Sequence, residues 1–257
     1  NTDKRKDIRL IMPDVKSVVV FAHSYFTINS YINNNFKVSR YAWGNDYHKV
    51  LFKKIKQIAE TIKGYFIDLK YKIYIDTGPL LEKQWAVLSG IGWQGKNSLV
   101  LSKELGSYFF LGVLLTNIDF EPDPVSENHC GTCTRCIDAC PTKAIVEPKV
   151  IDSRKCISFW TIEKRIDEDI PNEIDFNGWI FGCDICQEVC PWNKKAKITS
   201  ENQFYPFRFG TNIEEEFIKN LSYEKFMEFT KNSPIRRSKF SGFLKNYHHI
   251  RRNLNET

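Results

Sequence analysis

The sequence lacks any apolar run long enough to cross a membrane. Its most hydrophobic stretch, residues 107–116, falls well short of the roughly 18 residues a span needs. It also lacks a charged-then-apolar leader, which gives no sign of secretion and predicts a cytoplasmic protein. The chain opens on Asn1, not Met, which points to an incomplete N-terminus. Cysteine is absent from most of the chain: all eight lie between Cys130 and Cys190. A chain of 257 residues, 42% of them hydrophobic, can build its own core. With no export signal, a disulfide framework is an unlikely use of those thiols, and metal ligation is the better reading. Acidic residues are absent from Lys231 to Arg252, which carries seven Lys and Arg. The formal charge of +6 is therefore local to this segment. Such a patch suits an anionic partner, or is simply a loosely ordered, solvated terminus. There is no low-complexity segment and no long repeat, apart from a partial duplication of the cysteine run.

The first half reads as alternating strands and helices. Residues 16–22 form a short β-branched run, 71–76 alternate like a strand, and 97–101 and 108–115 read as two more. Residues 47–63 place Val50, Leu51, Ile55, Ile58, Ala59 and Ile62 on one helical face. Leu80 to Ser89 reads as a second helix, stopped by Gly90. The pattern predicts an α+β or α/β fold: a mixed sheet with helices over residues 1–125. A linker at 122–125 leads into a cysteine domain over 126–195, and a helical segment with the basic tail fills 196–257.

Cys130-x2-Cys133-x2-Cys136-x3-Cys140-Pro141 has the spacing of a bacterial two-cluster ferredoxin. There the fourth thiolate of each run ligates the other cluster. The second run, Cys183-x2-Cys186-x3-Cys190-Pro191, lacks its first member. Exchange groups Cys130, Cys133, Cys136 and Cys190 on one 4Fe-4S cluster. Cys140, Cys183 and Cys186 remain for a second, with Cys156 as the one thiol left to complete it. Two zinc sites are the alternative use of eight thiols, although this spacing suits a zinc ribbon poorly. Paired clusters imply electron delivery to something reducible, and hence an external electron donor.

Three other motifs stand outside the cysteine runs. Residues 90–97 match G-x-G-x-x-G, but a helix precedes and a strand follows, the reverse of a dinucleotide site. A tight glycine turn is the simpler reading. Asp46-x-His48 resembles the start of a cobalamin motif but lacks its glycine. Asp76 ends a predicted strand before Gly78-Pro79, a position that can face a cleft or merely make a turn.

Taken together, residues 39–50, 76–83 with 90–98, 130–145, and 156–163 with 182–193 resemble the epoxyqueuosine reductases. These are cobalamin and iron–sulfur enzymes that complete queuosine in tRNA. The resemblance covers nearly the whole chain from about residue 14, and implies two 4Fe-4S clusters and cobalamin as cofactors. It places the catalytic acid on Asp76. It places cobalamin contacts on Val38, Arg40, Tyr41, His48, Asp76, Asn97, Leu101, Ser158 and Asp184. It agrees with the cysteine exchange and with Cys156 as the isolated ligand. It also implies a further N-terminal segment that helps to close the pocket. The implied partner is tRNA, held at its anticodon loop by a monomer with no membrane contact. For the tRNA grip the basic segment offers Arg236, Arg237 and Lys239, with Phe240, Phe243 and Tyr247 for base stacking.

Removing an epoxide oxygen needs electrons, and a proton for a poor alkoxide leaving group. An apolar cofactor face beside Asp76 is expected to raise its pKa, keeping the acid protonated near pH 7. Two rivals share these features: a corrinoid reductive dehalogenase, and a ferredoxin-type electron-transfer protein with no substrate of its own.

Overall fold

The computed structural model describes residues 2–31, 36–164, 169–207 and 211–255. Three antiparallel strands make the main sheet: β1 (Ser17–Ser24), β2 (Tyr71–Tyr74) and β3 (Phe109–Thr116), in the order β1-β3-β2. Val20 faces Val113 across one ladder, and Ile73 faces Leu114 across the other. The central strand is almost wholly buried. This explains its uninterrupted apolar run, since side chains on both faces must leave water. On one face Phe110 and Leu114 pack with Leu51, Ile55 and Ile75; on the other Val113 and Leu115 pack with Ile11, Met12 and Leu80.

Helix α1 (Tyr47–Lys63) covers the first face. Asp46 caps it by accepting the His48 N–H, and its lysines point to solvent while Val50, Leu51, Ile55 and Ala59 are buried. Burying a side chain such as Leu51 or Ile55 is worth about 1.5–3 kcal/mol. Gly112 allows this approach, because a Cβ there would lie 2.3 Å from Ile55 Cδ1. Helix α2 (Glu82–Leu88) packs through Ala86 against Val100 and Phe109.

The strand expected over 97–101 is shorter than its sequence suggests. Only Val100–Leu101 is extended, pairing with Trp93–Gln94. Ser98 stands at φ 65°, and Ser98 N–H bonds Gly95 O, so the glycine-rich run and its continuation form a turn before the short strand.

The C-terminal segment departs most from its expected character. Helix α3 (Lys239–Asn255) buries Phe243, Tyr247 and Ile250 in a core shared with Val38, Trp43, Trp179, Phe181 and Phe226. Its amphipathic pattern, not its charge, decides its fate: the cations sit on the outer side of a packed helix. Phe243 and Tyr247, expected to stack on bases, are unavailable because they are buried; Phe240 is partly exposed. The first and last thirds of the chain meet in this core, where Lys37–Val38 also pairs in parallel with Trp179–Phe181.

Candidate active site

A cleft of about 900 Å³ opens between the sheet and the cysteine segment. Its lining includes Cys140, Cys156, Cys183 and Cys186 together with Tyr41, Tyr47, Asp76, Glu82 and Asn97. Aromatic and aliphatic side chains, among them Phe110, Leu99 and Ile157, fill the wall between these polar groups.

Asp76 leaves the end of β2 in a tight turn. Thr77 N–H bonds Ile75 O at 2.6 Å, and Asp76 itself stands at φ 58°. This three-residue turn, with its centre in the left-handed region, costs a non-glycine residue on the order of 1 kcal/mol. Gly78 follows because a side chain there would collide with the Tyr74 ring. The turn aims the carboxylate at the start of α1. Tyr47 Oη donates to Asp76 Oδ2 at 3.0 Å, and His48 Nε2 lies 3.7 Å from the same oxygen, an ion-pair separation. The other His48 nitrogen, Nδ1, sits 2.7 Å from Asp46 Oδ1.

Two carboxylates flanking one imidazole have a predictable effect. The bond to Asp46, then Asp76, pushes His48 up to about 9, so it is a cation at neutral pH. In return the facing His48 holds the Asp76 carboxyl below its ordinary value, with Tyr47 adding to the effect. In the open cleft the Asp76 carboxyl is therefore lowered, whereas the raised value was expected beside an apolar cofactor face. The Asp76 side chain is 52% exposed and meets a cation, so attraction outweighs desolvation. The carboxyl that is raised is Glu82, pushed by burial up to about 7.

The eight thiols fall into two groups that adjoin in the middle. Cys136 is within electrostatic range of Cys190, Cys130 and Cys133; Cys186 is within range of Cys156, Cys136 and Cys140; and Cys183 of Cys186 and Cys156. Short helices Arg135–Asp138 and Ile185–Glu188 pack together between the groups. Trp93 Nε1 donates to Cys130 Sγ at 3.4 Å, and Ala144 N–H to Cys140 Sγ at 3.3 Å. Burial and neighbouring negative charge push Cys186 up to about 12, so this thiol ionises only with a compensating cation. Among the described residues, no three Cys, His, Asp or Glu side chains converge on a single-ion site.

Comparisons with known proteins place this geometry in a family. Residues 5–77 match the profile described as "Epoxyqueuosine reductase QueG, DUF1730", and 129–193 that of a "4Fe-4S double cluster binding domain". The epoxyqueuosine reductase of Atelocyanobacterium thalassa (isolate ALOHA) is 46% identical over 248 residues, covering 95% of this chain and 80% of that one. The chain belongs to the epoxyqueuosine reductase family. The structure of epoxyqueuosine reductase from Streptococcus thermophilus is similar with a TM-score of 0.86 at 31% identity, over 99% of this chain and 69% of that one. A crystal structure of epoxyqueuosine reductase with a tRNA-Tyr epoxyqueuosine-modified stem loop is similar with a TM-score of 0.79 at 30% identity, over 94% and 67%. This family is one of oxidoreductases, and the chain carries its 4Fe-4S double-cluster domain. Membership displaces both rival readings, the dehalogenase and the substrate-free ferredoxin.

Within this epoxyqueuosine reductase fold, Tyr41, Asp76, Asn97 and Ser158 line the cleft. Val38, Arg40, His48, Leu101 and Asp184 are not on its wall. Val38 is fully buried in the shared core, and Leu101 packs beside Trp93 and Cys190. Arg40 donates to the carbonyls of Thr27 and Asn29 and lies over the Trp43 ring. The Asp184 carboxylate is enclosed by donors from Tyr31, Ser39, Arg40 N–H and Gln187. It thereby locks the second cysteine run to the N-terminal segment. His48 reaches the cleft through Asp76.

Of the tRNA candidates, Arg236 donates to Met227 O and Thr230 Oγ1, which ties it to the preceding helix end. Arg237 pairs with Glu163 at 2.6 Å and lies within electrostatic range of Asp76. Lys239 is exposed. Sequence reasoning missed Tyr47 and Glu82. Tyr47 was visible only as a neighbour of His48, and Glu82 only as an acid six residues beyond Asp76.

Proposed function

We infer that the chain reduces the epoxide of epoxyqueuosine in a tRNA anticodon loop, using cobalamin and two 4Fe-4S clusters. One observation carries this reading: Asp76 and four of the cysteines, Cys140, Cys156, Cys183 and Cys186, line one and the same cleft. The residues suit the cofactors. Cys130, Cys133, Cys136 and Cys190 would hold the outer cluster, and Cys140, Cys156, Cys183 and Cys186 the one beside the cleft. Tyr41, Asn97 and Ser158 would hold cobalamin, since a large, mostly apolar macrocycle with amide edges needs apolar walls and a few polar contacts. When bound, this group would supply a low-potential centre able to pass electrons to carbon. In this division residues 1–125 carry the acid, 126–195 the electron relay, and 196–257 part of the tRNA face.

Deoxygenation takes two electrons and two protons, leaving an alkene and water. The residues' part is the proton. With the cleft open, His48 holds a proton 3.7 Å from the ionised Asp76. Covering Asp76 strips its water, which favours the neutral acid and draws that proton onto the carboxyl. Tyr47 and Asp46 orient the two partners, so that transfer needs only a small approach of His48 Nε2 to Asp76 Oδ2 from their 3.7 Å separation. Arg237 and Lys239, at the rim and beyond it, would meet the substrate's phosphates.

The test is anaerobic turnover of an epoxyqueuosine-modified anticodon stem loop, with iron and cobalt measured on the same sample. Two clusters and cobalamin predict about eight irons and one cobalt per chain. Formation of queuosine with that content supports the reading. About four irons, or no queuosine from fully loaded protein, overturns it.

A further inference from the structure

The Asp76 turn is held by very little. Its centre is left-handed, its side chain is half exposed, and residues 77–79 make no ladder with the sheet. One contact ties the Asp76 backbone to a rigid element: its N–H donates to Glu82 Oε1 at 2.6 Å. Glu82 is the first residue of α2, a helix anchored under the sheet by the fully buried Ala86. Among the described residues, no Lys or Arg forms an ion pair with Glu82, although a carboxylate so placed would welcome one. The Leu81 N-cap supplies no side-chain bond, and Glu82 reaches back across five residues to Asp76 instead.

We propose that Glu82 is a positioning residue that latches the Asp76 turn: by accepting the Asp76 N–H it fixes the backbone that aims the carboxyl at Tyr47 and His48. This deepens the functional reading above and rests on it for the importance of Asp76. The role needs an acceptor oxygen at full reach, not a negative charge. A glutamine keeps the oxygen at that reach and loses the charge. An aspartate keeps the charge but is shorter by one carbon–carbon bond, about 1.5 Å, and falls out of contact. A purely electrostatic Glu82, raising the proton affinity of the site, predicts the opposite order.

The experiment compares Glu82→Gln, Glu82→Asp and Glu82→Ala in the cluster-loaded full chain by two readouts. Amide hydrogen exchange over residues 75–81, in the absence of substrate, reads the latch directly. Stem-loop turnover reads its consequence. Glu82→Gln should keep protection and turnover within about threefold of the parent. Glu82→Asp and Glu82→Ala should both lose protection at Asp76 and Thr77, with turnover down about tenfold, the upper end of the scale for losing one neutral hydrogen bond. KM for the stem loop should hold. If Glu82→Asp is near normal and Glu82→Gln is impaired, the latch is wrong and the charge matters. Unchanged exchange in Glu82→Ala also overturns it. Should Glu82→Ala fail to fold, the Gln and Asp variants decide alone. If no protein turns over the stem loop while exchange follows the expected order, the latch stands and the substrate assignment fails.

Discussion

Between Cys130 and Cys190 the chemistry follows from local spacing, because a cluster needs one thiolate per iron and short turns deliver them at fixed intervals. Around Asp76 nothing local is sufficient. Its turn, the tyrosine and histidine that face it, and the glutamate behind it come from four sequence positions between 47 and 82. The first region is robust to its surroundings and fragile to loss of any ligand. The second is built from weak, mutually dependent contacts whose protonation depends on what covers them. The cleft joins them, so each can be broken while the other is observed.

The largest effect is expected from Cys156→Ala. This thiol stands outside both runs yet lies in range of Cys183 and Cys186. The variant should lose the cluster beside the cleft, roughly halve the iron, and abolish turnover, while the outer cluster's spectral signal persists. Full iron content with both signals intact would return Cys156 to an ordinary half-buried thiol.

Asp76→Asn breaks the other region alone. The amide keeps an oxygen for the Tyr47 hydroxyl and the N–H for Glu82, but it delivers no proton. Turnover should fall at least about a hundredfold, the scale of lost general acid catalysis, with iron and cobalt content unchanged. A variant that turns over near normally would mean that the proton comes from elsewhere.

These two regions also differ in how far the sequence reveals them. The cysteine grouping needs only counting, and the apolar run of β3 and the 3.6-residue face of α1 likewise reveal their elements directly. The lowered Asp76 pKa of the open cleft comes from a cation, His48, set against a half-exposed carboxylate, which no local pattern around Asp76 shows. Asp184 carries a similar lesson: nothing in its place between two cysteines shows that four donors from distant segments enclose its carboxylate. In α3 a charge count suggested a tail, but Phe243, Tyr247 and Ile250 at helical spacing make it core. Tertiary partners decide all three, and no window of sequence contains them.

His48→Asn sharpens the comparison through pH. His48 is raised from 6.5 to about 9 by Asp46 and then Asp76. A histidine with a raised folded pKa stabilises the protein fully below its unfolded value, and that contribution fades as pH climbs through the folded one. The parent should therefore lose stability between pH 6.5 and 9, by on the order of 1 kcal/mol once the solvent around Asp76 is allowed for. Melting temperatures of His48→Asn across this window should be flatter, with iron content unaffected. A parent curve as flat as the variant's would remove the charged imidazole from the site.

The smallest effect separates two adjacent arginines that charge counting treats alike. Arg236 is held by Met227 O and Thr230 Oγ1, so Arg236→Gln should lower stability by about 1 kcal/mol and leave the salt dependence of tRNA binding unchanged. Arg237 has only an exposed ion pair with Glu163, 51% and 47% exposed respectively, and such a pair contributes little to stability. It can exchange that partner for a phosphate at little cost. Arg237→Gln should barely move the melting temperature but flatten the slope of log affinity against log salt by about 0.7, one single-strand phosphate contact. Lys239→Gln, at an exposed residue, should flatten it by a similar amount. Titrations of an unmodified anticodon stem loop at several salt concentrations make the measurement. Equal slopes in all three variants would take the tRNA face away from this end of α3. A flattened slope in Arg236→Gln would mean that its contacts to the Met227–Thr230 turn yield to the nucleic acid.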